Sequence, residues 1–195
     1  MFYQKKEKVM KKLMIIAAML MAVVGVNAQN EVGQLSLMPK AGVNIASMTK
    51  ADGTKSKIGL AVGVEAAYGV ANNFELTAGF LYSMQGAKVD GTDTKINMDY
   101  LNVPILAQYY LVKGLAVKAG VQVGFNTNAK TKNGDVSADI TTNKTVDFSI
   151  PVGLSYEYAN VVLDARYNIG MTKMFEGADS KNSVIQITLG YKFPF

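Results

Sequence analysis

The chain has 195 residues, enough for one domain, with 20 basic and 15 acidic side chains and neither His nor Cys. The two absences exclude His-based catalytic triads, His or Cys metal sites, thiolate chemistry, disulfides and a lipid-anchored N-terminal Cys. No G-x-x-x-x-G-K-[ST] run occurs, so no nucleotide-binding P-loop is indicated.

The first element is a targeting segment. Lys5, Lys6, Lys8, Lys11 and Lys12 form a basic start, Leu13 to Val24 an apolar run of 12, and Val26-Asn27-Ala28 a small-x-small cleavage site. Residues 1–28 are therefore expected to be a signal peptide, and 29–195 one mature domain. An apolar run of 12 is short of the roughly 20 residues that a spanning helix needs. The segment holds five of the Lys and one Glu, so the mature chain has 15 basic and 14 acidic residues. The sequence pI of about 9.2 thus belongs mostly to the signal and indicates no nucleic-acid partner.

Eight segments of alternating polarity follow. The first, 34–47, sets Leu35, Leu37, Ala41, Val43 and Ile45 against Ser36, Lys40, Gly42 and Asn44. The second, 57–69, sets Ile58, Leu60, Val62 and Val64 against Gly59, Gly63 and Glu65. The third, 74–86, sets Phe74, Leu76, Phe80 and Tyr82 against Glu75, Thr77, Gly79 and Ser83. In the fourth, 95–111, apolar residues start on even positions (Ile96, Met98, Tyr100) and switch to odd ones (Leu101, Val103, Ile105, Tyr109), which predicts a bulge near Tyr100–Leu101.

The fifth, 115–126, sets Val117, Val121, Val123 and Phe125 against Lys118, Gly120 and Gln122. The sixth, 146–158, sets Phe148, Ile150, Leu154 and Tyr156 against Asp147, Ser149, Gly153 and Glu157. The seventh, 161–171, sets Val161, Leu163, Tyr167 and Ile169 against Asp164, Arg166 and Asn168. The last thirteen residues, 183–195, alternate Ile185, Ile187, Leu189, Tyr191, Phe193 and Phe195 with Gln186, Thr188, Gly190 and Lys192.

Alternation of period two places the two sets on opposite faces of a strand. No apolar face carries a charge, and the polar faces are dominated by Gly, Ala, Ser and Asn. Small inward residues suit a narrow bore that side chains must fill. The predicted fold is all-β: an eight-stranded antiparallel up-and-down transmembrane β-barrel with a packed polar lumen. A secreted soluble barrel or sandwich is the competing reading.

Aromatic residues cluster at the strand ends, with Tyr68, Phe74, Tyr109 and Tyr158 at one rim and Tyr82, Tyr100, Phe125 and Phe148 at the other, as interfacial girdles do. Short turns at 70–73, 112–114 and 159–160 alternate with longer loops at 48–56, 87–94, 127–145 and 172–182. Short periplasmic turns and long external loops are the outer-membrane pattern, which predicts both termini in the periplasm.

The stretches D-Y-L-N-V-P-I-L-A-Q-Y-Y (Asp99 to Tyr110) and K-G-L-A-V-K-A-G-V-Q-V-G-F (Lys113 to Phe125) resemble the small outer-membrane β-barrel family of Bacteroidota, the porin-family or PorT-like proteins. The N-A-Q junction at 27–29 and the L-G-Y-K-F-P-F end are similar as well. The resemblance covers essentially the whole mature chain. It implies integral location in the bacterial outer membrane, delivery by the barrel-insertion machinery and no agreed activity; some relatives serve a protein-secretion system. In barrels of this kind a terminal aromatic strand is the segment the machinery reads, which assigns an assembly signal to Tyr191, Phe193 and Phe195.

Five acids and four bases fall on the predicted lumen face: Glu65, Glu75, Asp147, Glu157 and Asp164 with Lys40, Lys118, Arg166 and Lys192. They read as a structural salt-bridge network, or else as an ion path or a carboxylate pair. Asp90, Thr92 and Asp93 lack the spacing and closing Glu of a calcium loop and read as a turn. Ten Lys in the loops or at their strand borders (Lys57 and Lys95) against seven acids leave a slight basic excess, suited to lipopolysaccharide phosphates or to ordinary solvation. Met48, Met84, Met98, Met171 and Met174 near the loop rims read as gap fillers.

The expected role is that of a structural or surface-interacting outer-membrane protein with no catalytic activity, cofactor or metal. Its expected partners are outer-membrane lipid and lipopolysaccharide and the insertion machinery, with no nucleic acid. The alternatives are a narrow channel for ions or small solutes and an accessory barrel of protein secretion.

Overall fold

The computed structural model describes residues 30–49, 53–133, 136–139, 145–173 and 180–195. The predicted signal peptide and Met174 lie outside them.

The strands are β1 (Leu35–Thr49), β2 (Thr54–Ala71), β3 (Phe74–Val89), β4 (Thr94–Val112), β5 (Leu115–Asn133), β6 (Val136–Asp139), β7 (Val146–Tyr158), β8 (Val161–Lys173), β9 (Lys181–Tyr191) and β10 (Phe193–Pro194). Every pairing is antiparallel, and each long strand pairs with its neighbour in sequence from β1 to β5 and from β7 to β9. β5 pairs directly with β7, while β6 folds back as a short hairpin arm on the far end of β5. β9 and β10 together return to β1 in one continuous register, Thr49↔Lys181 through Lys40↔Gly190 to Ser36↔Pro194. That closure leaves eight staves and no edge in the wall.

The period-two faces become inside and outside. Val121 and Leu189 are 57% and 56% exposed on the outer wall, whereas their chain neighbours Gln122 and Thr188 are 4% and 1% exposed in the bore. Large apolar side chains exposed to this extent on every stave make sense only against lipid.

The turns at one end are tight. At 159–160 both central residues have positive φ (46° and 67°), the type I′ signature that matches strand twist in a two-residue hairpin. The other end differs from expectation. Much of the predicted long loops is strand: β1 runs on to Thr49, β2 begins at Thr54, and β5 continues to Asn133 with β6 beside it. A membrane is crossed by about 9–11 residues of tilted strand. Staves of 13 to 19 residues among β2–β5 and β7 therefore carry the sheet beyond the apolar belt.

The predicted slip in the fourth strand is corrected by the register. β4 pairs with β3 without interruption across Leu81↔Asn102, Ser83↔Tyr100 and Gln85↔Met98. Its even positions face inward from Met98 through Tyr110. The irregularity belongs to β5, where Asp99↔Asn128 is followed by Tyr100↔Asn126 and leaves Thr127 as the extra residue. Tyr100 accordingly belongs to no girdle. It is 5% exposed and packs inside the barrel.

Candidate functional site

Among the described residues, the bore brings charged side chains together out of water, and it does so in tiers. The middle tier joins five residues from four staves. Lys40 Nζ lies 2.9 Å from Glu65 Oε2 and 3.5 Å from Asp164 Oδ2. Lys118 donates to the same Asp164 oxygen. Arg166 donates from Nε to Asp164 Oδ1 at 2.7 Å and from Nη2 to Glu65 Oε2 at 2.9 Å. Its Nη1 approaches Glu65 Oε1 at 2.7 Å without hydrogen-bond alignment. All five side chains are essentially without solvent contact. Three cations and two carboxylates leave this tier with one positive charge.

The lower tier lies toward the tight turns. Lys192 Nζ donates to Glu75 Oε1 at 2.9 Å and Glu157 Oε2 at 3.1 Å. The Tyr110 hydroxyl donates to Glu157 Oε2 at 2.9 Å and accepts from Lys192 at 3.2 Å. One cation and two carboxylates leave one negative charge. Four bases and four acids balance across the two tiers, so the desolvation of each ion is offset by neighbours of opposite sign. Below them, Asn30, just before β1, is buried against β1, β2 and β3. Asn30 donates from its backbone N–H to Glu75 at 2.7 Å and from Nδ2 to Ser36 Oγ and the Ala67 carbonyl, both at 3.0 Å.

The upper tier is apolar. Met48, Ala87, Met98 and Tyr100 form a buried cluster with Ile96 against it. Asn182 links this tier to Asp147, its Nδ2 donating to Asp147 Oδ2 at 3.0 Å and reaching the Tyr100 hydroxyl at 3.4 Å.

Of the nine charges expected to share one network, eight divide between the two ionic tiers and Asp147 joins neither. It opens β7 opposite Gly124, at the level of the apolar tier, where the Asn182 amide and no base among the described residues reaches it. The space for long ionic side chains comes from glycine on the adjoining staves. Lys40 stands between Gly63 and Gly190, Glu65 is opposite Gly79, and Lys118 and Arg166 flank Gly153. A Cβ at Gly79 would lie 2.5 Å from Glu65 Cγ and 2.4 Å from the Val64 carbonyl oxygen.

Sequence reasoning missed Tyr110, Asn30 and the Met98–Tyr100 plug. Tyr110 was open to discovery by parity, since it follows the lipid-facing Tyr109 by one residue. At the C-terminus the Tyr191 and Phe193 rings lie 4.7 Å apart, and Phe195 donates its N–H to the Leu35 carbonyl at 2.8 Å.

A closed eight-stave wall, apolar outside and ionic within, is the geometry of an outer-membrane barrel, and the family comparison agrees. Residues 27–176 match the outer membrane protein beta-barrel domain family. The chain belongs to that family. Membership and fold together make it an integral protein of the bacterial outer membrane. Among solved structures it is similar to Ail, the attachment invasion locus protein of Yersinia pestis, with TM-score 0.53 and 16% identity, covering 84% of this chain and all of that one. It is also similar to OprG from Pseudomonas aeruginosa, with TM-score 0.52 and 16% identity, covering 86% and 99%. The Neisserial surface protein A gives TM-score 0.50 and 16% identity, covering 88% and 99%. A search of curated proteins found no match.

Proposed function

We propose that this barrel is non-conducting and non-catalytic, a structural and surface-interacting protein of the outer membrane. Both termini lie in the periplasm, and the extended ends of β1–β6 lie outside. The observation that carries the reading is the three-tier filling of the bore by Met98–Tyr100, Arg166–Glu65–Asp164 and Lys192–Glu75–Glu157. The contrast between two-residue turns at one end and strands prolonged past the apolar belt at the other supports the orientation. The family resemblance read from Asp99–Tyr110 adds a place among the porin-family or PorT-like barrels of Bacteroidota, with the insertion machinery as an assembly partner.

Single-channel recording in planar bilayers tests closure. The folded barrel is expected to give no stable current steps above the bare membrane. Reproducible steps of porin size would replace this reading with the solute-channel one. Recovery of a secretion complex by pull-down from native outer membrane would replace it with the accessory-barrel one.

A further inference from the structure

Beyond the membrane belt, the strand register lines up lysines. Lys55 pairs with Lys88, Lys88 with Lys95, and Lys95 with Lys132, so four adjacent staves β2–β5 carry Lys at directly opposed positions. Directly opposed residues share a face with Cβ atoms about 4.5–5.5 Å apart, and like charges so placed destabilise a sheet. The row is on the outer wall. The neighbouring residues Ala87 and Ile96, opposed to each other, turn toward the buried Met48–Met98 cluster, which sends Lys88 and Lys95 the other way. Thr127, the extra residue of β5, is what brings Lys132 into line with them.

Among the described residues, two carboxylates pair with lysines on this surface. Asp90 lies 2.5 Å from Lys55, whose hydrogen bond holds that carboxyl below its usual range. Asp139 lies 3.6 Å from Lys130, one step nearer the membrane. Among the described residues no carboxylate reaches Lys88, Lys95 or Lys132, and all three side chains are exposed. A depression of about 500 Å³, lined in part by Lys55, Lys88, Thr92 and Asp93, opens at one end of the row.

The position narrows the counter-ion. Lys88 is six residues beyond Tyr82, which sits in the outer-wall row Tyr82–Leu101–Phe125. At about 3.3 Å per residue and a tilt near 40° that is roughly 15 Å above the aromatic belt. The wall at that height is continuous with the lipid-facing surface below it. We propose that the Lys55–Lys88–Lys95–Lys132 row is a binding site for the phosphate groups of an outer-leaflet glycolipid, gripping them beside the barrel. This deepens the surface-interaction reading and rests on its orientation of the extended ends outward.

The test uses the full mature barrel refolded in neutral detergent and incubated with lipopolysaccharide. Glycolipid retained through size exclusion is measured as bound phosphorus. Wild type is expected to retain at least tenfold more than Lys88→Gln/Lys95→Gln, and to lose that excess with phosphatase-treated lipopolysaccharide or at high salt. The charge-matched Lys173→Gln/Lys181→Gln, on β8 and β9, is expected to behave as wild type.

Equal retention by wild type and Lys88→Gln/Lys95→Gln overturns the proposal. So does an equal loss in the β8–β9 variant, which would show net charge alone at work. Equal or tighter binding of heparin, a soluble polyanion, overturns the glycolipid assignment. Orientation is read separately, from labelling of Thr92→Cys in whole cells by an impermeant maleimide, so its failure is distinguishable from failure of binding. Heat-modifiable gel mobility confirms that each variant is folded.

Discussion

Asp164 is the residue on which the middle tier turns, because Lys40, Lys118 and Arg166 all converge on its carboxylate. Asp164→Ala would leave three buried cations facing Glu65 alone. Removing one partner of a buried pair costs about 3–5 kcal/mol, since the other charge stays desolvated. That loss is expected in urea titrations of barrels refolded into lipid vesicles. The double variant Lys118→Met/Asp164→Leu keeps the tier at one positive charge and is expected to be less destabilised than the single. A double variant as weak as Asp164→Ala would show that shape, and not charge balance, sets the tier. At this scale parity placed the nine charges on the inward face, but it misplaced Tyr100 and passed over Tyr110. It did not reveal who meets whom. Partnership between Arg166 and Glu65, 101 positions apart, depends on how the eight staves are staggered on closure. Asp147 has the correct parity for the network and the wrong height.

Individual staves were legible where lipid sets the pattern and less so above it. The bounds of β7 coincide with the predicted 146–158, whereas β5 runs seven residues past its predicted end at 126. In the belt, outward residues must be apolar and alternation is strict. Beyond it the outer wall meets water and carries Lys, while apolar side chains turn inward to plug the bore. The apparent slip at Met98 and Tyr100 is that inversion read in one dimension. The C-terminal strand can be tested as an element. β10 adds only Ser36↔Pro194, Leu37↔Phe193 and the Phe195 N–H bond to the ten β1–β9 pairs. Deleting 193–195 is therefore expected to lower the amount of folded barrel in cells far more than the urea midpoint of barrel refolded in detergent. Normal amounts of folded truncated protein in the outer membrane would refute an assembly-signal role for these aromatic residues.

For the molecule as a whole, the filling of the bore is redundant. The apolar tier, the middle ionic tier and the lower ionic tier fill the same narrow passage at different heights, and Asn30 is buried beside Glu75 beneath them. An eight-stave bore is just wide enough for side chains to fill. Under the proposed closed-bore reading, conduction is expected to require every tier to be cut back at once. Tyr100→Ala, the pair Glu65→Ala/Arg166→Ala, and the pair Tyr110→Ala/Lys192→Ala are each expected to give folded barrels without current, since two tiers remain in each. The middle-tier pair removes one cation and one carboxylate in direct contact and leaves the charge of that tier unchanged, whereas loss of Lys192 leaves Glu75 and Glu157 without a cation, so the lower-tier pair carries the larger stability cost. All five substitutions together, with residues 29–34 removed, are expected to produce small, stable steps in planar bilayers. A single-tier variant that conducts would show that one tier alone holds the pore shut and would place the gate there. A combined variant that shows folded mobility on heat-modifiable gels and stays silent would show that the wall collapses inward when its filling is lost. In that case the tiers hold the shape of the barrel as well as close it.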